Sequence, residues 1–160
     1  MLRVFAVFCL LFFIAGGLYA EPLRLRAVAC IDGDTFVGSK DSRVVRMWGV
    51  DAPELDQPWG EASKAALIAL TNHRQLNIEQ KGTNWGRMVG IARRGKVDIG
   101  LELIKMGLAW HDPKYAPKCK EYAEAEAAAR KEKRGLWSDD KPVAPWEWRK
   151  QQNDDAADDD

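Results

Sequence analysis

Five carboxylates bunch within a short stretch of the chain: Asp32 and Asp34 on either side of Gly33, then Asp51, Glu54 and Asp56 around Pro53. If the segments after Asp34 and before Asp51 pair as a hairpin, these two aspartates meet at its open end. Neighbouring carboxylates repel unless a proton or a cation separates them. A hard divalent ion with oxygen ligands, Ca²⁺ above all, answers that need. Aspartates beside Gly and Pro also simply form turns. Asp32 fits that reading as well as the metal one, whereas it explains Asp34 and Asp51 together poorly.

Arg46 stands inside an apolar run of Val44, Val45, Met47 and Trp48. Strand alternation puts it on one sheet face, where a guanidinium needs an anion. Its rigid fork suits a phosphate gripped by two donors; a salt bridge to a nearby carboxylate is the alternative. Arg87 follows the turn Asn84-Trp85-Gly86 and taken alone reads as a surface charge. Other chemistries lack their residues: no Gly-x-Ser-x-Gly elbow, Walker loop or zinc spacing occurs. His73 and His111 are isolated and read as helix-surface or loop residues.

The elements that must hold these groups follow from periodicity. Leu23 to Ile31 alternates apolar residues with Arg24 and Arg26, a strand pattern. Asp32-Gly33-Asp34 turns the chain, Thr35 to Val37 resumes it, and Gly38 to Asp41 turns it again. Arg43 to Val50 is the third strand, stopped by Pro53. Glu61 to Thr71 changes to a helical period, with Ala62, Ala65, Ala66, Ala69 and Leu70 on one face. Gln75 to Gln80 and Arg87 to Arg93 read as strands four and five. Ile99 to Met106 is a short helix ended by Gly107, and Cys119 to Lys133 an alanine-rich one closed by Gly135. The order predicts an α+β fold, a five-stranded Greek-key barrel with about three helices.

Length and charge narrow the class. With 160 residues the chain fits one domain, and 46% hydrophobic residues with 30% charged describe a globular chain. Residues 1–20 join Arg3 to a twelve-residue apolar run from Val4 to Ala15 and end on Ala20. That pattern predicts a signal peptide, or an N-terminal anchor if it is not cut, and an exported body that is secreted or periplasmic. The formal net charge is zero, yet without the leader and the five aspartates of residues 154–160 the body carries 23 basic and 19 acidic residues. A net of +4 is compatible with a polyanionic partner without specifying one. The expected organisation is a domain over 21–140 and a C-terminal extension over 141–160 ending in an acidic, disordered tail. Cys30 and Cys119 remain after cleavage; an exported protein permits a bridge between them, and two separate thiols are the even alternative.

Taken in order, Asp32-Gly33-Asp34-Thr35, Arg46-Met47-Trp48-Gly49-Val50-Asp51-Ala52-Pro53-Glu54, Trp85-Gly86-Arg87, Gly107-Leu108-Ala109 and Gly135-Leu136-Trp137 resemble the thermonuclease family, the staphylococcal-nuclease-like domain. The resemblance covers residues 24–138, and Pro145-Trp146-Glu147-Trp148-Arg149 is similar to the ending of bacterial secreted members. It implies an OB-fold barrel and a Ca²⁺-dependent endonuclease acting on DNA and RNA with little sequence specificity, leaving 3′-phosphate ends. Asp34, Asp51 and the backbone carbonyl of Ala52 would hold Ca²⁺, Glu54 would hold and deprotonate water, and Arg46 and Arg87 would grip the phosphate. No protein partner is implied, and the chain is expected to be a monomer.

The departures are local. Thr83 stands where the family often has an acid, and Trp85 where it often has Tyr, so the nucleotide contact differs. Ala52 replaces a Thr found in some members, which a backbone ligand tolerates. His111 to Tyr115 also departs from the usual aromatic segment; Tyr115 or Trp110 could stack on a base, or Trp110 could pack in the core. The alternative from another class is a non-catalytic nucleic-acid-binding module of the same fold, which would have no need of Glu54.

Overall fold

β1 (Leu23–Cys30) turns Leu25 and Ala27 inward and Arg24 and Arg26 to solvent, as its alternation requires. The computed structural model describes residues 22–158, so the expected leader over 1–20 lies outside the described residues. β1 is the middle of the sheet. On one side it pairs antiparallel with β2 (Thr35–Gly38), and on the other with β5 (Gln75–Asn84). β2 pairs with β3 (Val44–Met47), and β5 with β6 (Arg87–Arg94), both antiparallel. A parallel pairing of β3 with β6, Arg46 opposite Val89, closes the five strands into a barrel. The α+β barrel expected from the sequence is therefore the architecture, an OB-fold-like arrangement with four helices.

The barrel is filled by Phe36, Val45, Leu76, Ile78, Met88 and Ala92, all at most 5% exposed. Full burial of each large side chain contributes roughly 1.5–3 kcal/mol relative to exposure. Two helices cap the barrel: α1 (Gly60–Thr71) through Leu67, and α2 (Ile99–Lys105) through Ile99, Leu103 and Ile104. α2 starts after the two-residue strand β7 (Val97–Asp98), where the Asp98 carboxylate caps the Leu101 N–H at 3.1 Å. It ends at Gly107, φ 69°, the left-handed position anticipated there. α3 (Lys120–Lys131) packs on α2, and the Tyr122 hydroxyl donates to Asp98.

Several features differ from the sequence reading or complete it. The expected third strand over Arg43–Val50 breaks at Trp48-Gly49, Gly49 having φ 68°. The chain after it, β4 (Val50–Asp51), pairs instead with β8 (Trp110–His111). His111 is thus a buried strand residue bonded to the Ala116 carbonyl, not a surface one. Cys30 and Cys119 are both free thiols, one of the two alternatives the sequence left open. Within the expected extension, residues Pro145–Asp158 form α4. Pro145 opens that helix, where its missing N–H is harmless.

The C-terminal segment is seated by a second cluster of Trp110, Ala129, Leu136, Trp137 and Ala144. Trp110 stacks edge-on against Trp137 and Trp146, and the Arg130 guanidinium lies 3.7 Å from the Trp137 ring centre. The Gly107-Leu108-Ala109 and Gly135-Leu136-Trp137 blocks meet here. The Leu136 N–H bonds the Gly107 carbonyl at 2.9 Å, and a Cβ on Gly107 would lie 2.1 Å from the Arg134 carbonyl oxygen.

Candidate active site

The turn between β1 and β2 presents Asp34. The Asp32 carboxylate accepts the Asp34 N–H at 3.0 Å, bending the backbone locally. Gly33 is required because a Cβ there would lie 2.5 Å from Ser63 Oγ on α1. Asp34 thus points inward beside the end of β3, 1% exposed. Its Oδ1 accepts from the Thr35 hydroxyl and from Arg46 Nη1, while Oδ2 accepts the Ala52 N–H at 2.8 Å.

The break at Gly49 brings Asp51 back across the barrel mouth to Arg46. Arg46 Nη2 reaches Asp51 Oδ1 at 2.6 Å, so one guanidinium joins the two buried carboxylates. The β2–β3 hairpin expected from the sequence forms in a register that sets Thr35 opposite Arg46, which brings Asp34 to the same guanidinium. The salt-bridge reading of Arg46 is also correct in this structure. Burial pushes the Asp34 carboxyl up from its ordinary range; Arg46 opposes this, and Asp32 and Asp51 add to it. A buried carboxylate pair with one shared guanidinium is therefore a place where further positive charge is favoured.

Glu54 stands on the loop after β4. Its N–H donates to Gln57 Oε1 at 3.1 Å, and its carbonyl accepts the Gln57 N–H at 3.0 Å. The carboxylate faces the cleft alongside Asp51. Arg87 reaches the same cleft by register: in the parallel pair Arg46 and Val89 face one side, and Arg87 is two residues before Val89. Among the described residues Arg87 has no ion pair. The six residues Arg46, Asp51, Glu54, Arg87, Tyr115 and Arg149 help line a cleft of about 740 Å³.

Asp34, Arg46, Asp51, Ala52 and Glu54 are thus brought together, with Arg87 on the cleft wall. Of the proposed stacking residues, Tyr115 is half exposed at the cleft, whereas Trp110 is 7% exposed in the core. Trp85 projects fully from the turn before β6. The group missed from the sequence is Arg149 on α4. Its Nη2 bonds Asp51 Oδ2 at 2.8 Å, and its Nη1 bonds Glu54 Oε1 at 2.5 Å. The signal was available in Trp146-Glu147-Trp148-Arg149, an aromatic, proline-led helix start.

The donor set suits a hard divalent cation. Asp34 and Asp51 supply charged oxygens, and Ca²⁺ accepts irregular oxygen cages completed by carbonyls, water or substrate. Among the described residues no three His, Cys, Asp or Glu side chains form a metal-holding group, so protein carboxylates alone would not enclose an ion.

A barrel closed by parallel strands, with two carboxylates and two arginines at its mouth, defines the staphylococcal nuclease type of domain. Residues 44–139 match the family described as Staphylococcal nuclease homologue, and the chain belongs to that family. It is 32% identical over 154 residues to an uncharacterized endonuclease of Haemophilus influenzae, covering 89% of this chain and 82% of that protein. It is 33% identical to Protein ParB of Escherichia coli, covering 96% of this chain and 93% of the other. A probable staphylococcal-like nuclease, CAN2 of Oryza sativa, is 37% identical over 79% of this chain, which spans 34% of the plant protein.

Proposed function

We propose that this protein is a Ca²⁺-dependent endonuclease that hydrolyses phosphodiester bonds of DNA and RNA with little sequence specificity, leaving 3′-phosphate ends. The observation that carries the reading is the convergence of Asp34 and Asp51 on Arg46, with Glu54 and Arg87 at the same cleft. The names of the relatives agree with a nuclease. Asp34 and Asp51, with the Ala52 carbonyl, would hold the ion. When bound it neutralises charge and polarises a phosphoryl oxygen.

Glu54 holds water and takes its proton as the water attacks phosphorus. Arg87, uncommitted among the described residues, donates its planar fork to phosphate oxygens as negative charge develops on them. Arg46, which holds the two carboxylates through Nη1 and Nη2, would also grip the phosphate. The 5′-oxygen leaves. Binding is dominated by phosphate contacts and weakens with salt, while Trp85 and Tyr115 offer stacking faces indifferent to base identity. The signal-peptide pattern of residues 1–20 supports an activity outside the cytoplasm.

Digestion of end-labelled DNA and RNA with Ca²⁺ or with excess chelator tests the reading, with end-group analysis of the products. Ca²⁺-dependent fragments bearing 3′-phosphate are expected. Full activity in chelator removes the metal role, and binding without cleavage returns the non-catalytic module.

A further inference from the structure

Residues 139–149 run back along the Glu54 loop, and four polar contacts join the two segments in antiparallel order. The Trp59 indole N–H donates to Asp139 Oδ2 at 2.9 Å, and Gln57 Nε2 donates to the Val143 carbonyl at 2.7 Å. The Trp148 indole N–H reaches Asp56 Oδ1 at 3.3 Å, and Arg149 Nη1 closes the series on Glu54 at 2.5 Å. The strap is itself fixed to the domain: Ala144 is buried, and Trp146 packs edge-on against Trp110 at 5.5 Å.

We propose that this strap positions the Glu54 loop for catalysis, with Arg149 as the positioning residue that fixes the Glu54 carboxylate relative to Asp51. The proposal rests on the reading of Glu54 as the base. Among the described residues the Glu54 carboxylate has no other side-chain partner than Arg149. Its rotamer is otherwise free, and a base displaced by about 1 Å can lose on the order of 10²-fold in rate. Arg149 also takes both oxygens of Asp51, at 2.8 and 3.3 Å, so one planar group sets the spacing of a base and a metal-binding carboxylate. An ordinary exposed ion pair would span one carboxylate and be worth little. This one ends a series of contacts to a single loop. Except for Asp139 the strap lies beyond residues 44–139 that match the family.

The test compares Arg149→Ala, Arg149→Lys and Glu54→Gln, singly and combined, in the full chain with Ca²⁺ and DNA. Arg149→Ala is expected to lower kcat by about 10- to 100-fold with KM changed less than about threefold. Arg149→Lys should recover part of the loss. In the Glu54→Gln background Arg149→Ala should add less than about threefold, because its target is gone. Native hydrogen exchange should speed up at amides 54–60 in Arg149→Ala, and in Trp148→Phe, which keeps the packing but drops the bond to Asp56. Trp148→Phe also serves if Arg149→Ala fails to fold, and should lower kcat in the same direction.

Wild-type kcat in Arg149→Ala overturns the proposal and leaves the role of Glu54 standing. An undiminished loss in the Glu54→Gln background, or a rise in KM alone, also overturns it, since Arg149 would then act on substrate. Wild-type turnover by Glu54→Gln itself sinks the base assignment and this inference with it.

Discussion

Replacing Gly60 by Ala tests how tightly the Glu54 loop is packed. Gly60 is the first residue of α1, and a Cβ placed on it would lie 1.8 Å from the Glu54 carbonyl oxygen and 2.7 Å from its carbon. Contacts under 3.0 Å are essentially never made by real Cβ atoms, so helix and loop must separate by at least 1.2 Å. The obstacle is backbone, which cannot rotate aside as a flexible side chain could. Two opposing effects on stability have to be weighed. Ala in place of Gly favours a helix by about 1 kcal/mol, while forced overpacking costs about 1–3 kcal/mol. The net is a destabilisation of about 0–2 kcal/mol, which leaves the fold intact. Activity has no such compensation: the shift falls on the residue whose carboxylate must meet water, and about 10²-fold in turnover is expected to be lost. Steady-state cleavage of a defined DNA with Ca²⁺, alongside urea unfolding, reads both numbers. A Gly60→Ala variant within threefold of wild-type turnover would show that the loop moves freely or that Glu54 is not the base.

The two arginines should part company in stability. Arg46→Lys should lower turnover and also destabilise by about 1–3 kcal/mol, because one fork joins two buried carboxylates; Arg87→Lys should lower turnover with little change in unfolding, and equal Tm losses for both would refute the assignment. Mg²⁺ should support far less cleavage than Ca²⁺, since two carboxylates on separate loops do not form a rigid octahedral cage; equal rates with the two ions in a matched titration would count against that cage. A thiol reagent should count both Cys30 and Cys119 in unfolded, unreduced protein. In the native state at about pH 8 Cys30 should react slowly, because burial pushes its thiol up despite the hydrogen bond it shares with Thr71; loss of both thiols would indicate a bridge instead.

Local pattern carried the barrel and most of its site. Alternation in Leu23–Cys30 and Val44–Met47 is a direct consequence of strands with one buried face, and a two-residue side-chain period is visible in sequence. The turn residues Asp32 and Gly33, and the short separation between β2 and β3, brought Asp34 and Arg46 within reach, because hairpin register propagates from the turn, whereas Asp51 returns through the break at Gly49. The Gly107 and Gly135 blocks were legible as features, though not as a contact. Each glycine has a left-handed φ, and only the docked structure shows that the two backbones pass too closely for any Cβ.

What periodicity could not show depends on pairings between distant segments. Nothing in Arg43–Val50 announces that the strand stops at Met47 and that Val50–Asp51 joins Trp110–His111 instead. Cys30 and Cys119 are equally silent, since bridging depends on a Cα separation that only the fold defines. Arg149 is the sharpest case. It contacts Glu54 across 95 residues, and although two tryptophans precede it and mark a segment that docks, no spacing says onto what. The sequence by itself determined the residue types and the local geometry that make a carboxylate–arginine site possible. Tertiary structure alone decided which arginine meets the base, because an ion pair is specified by where α4 docks through Trp146 and Trp148, not by any spacing along the chain.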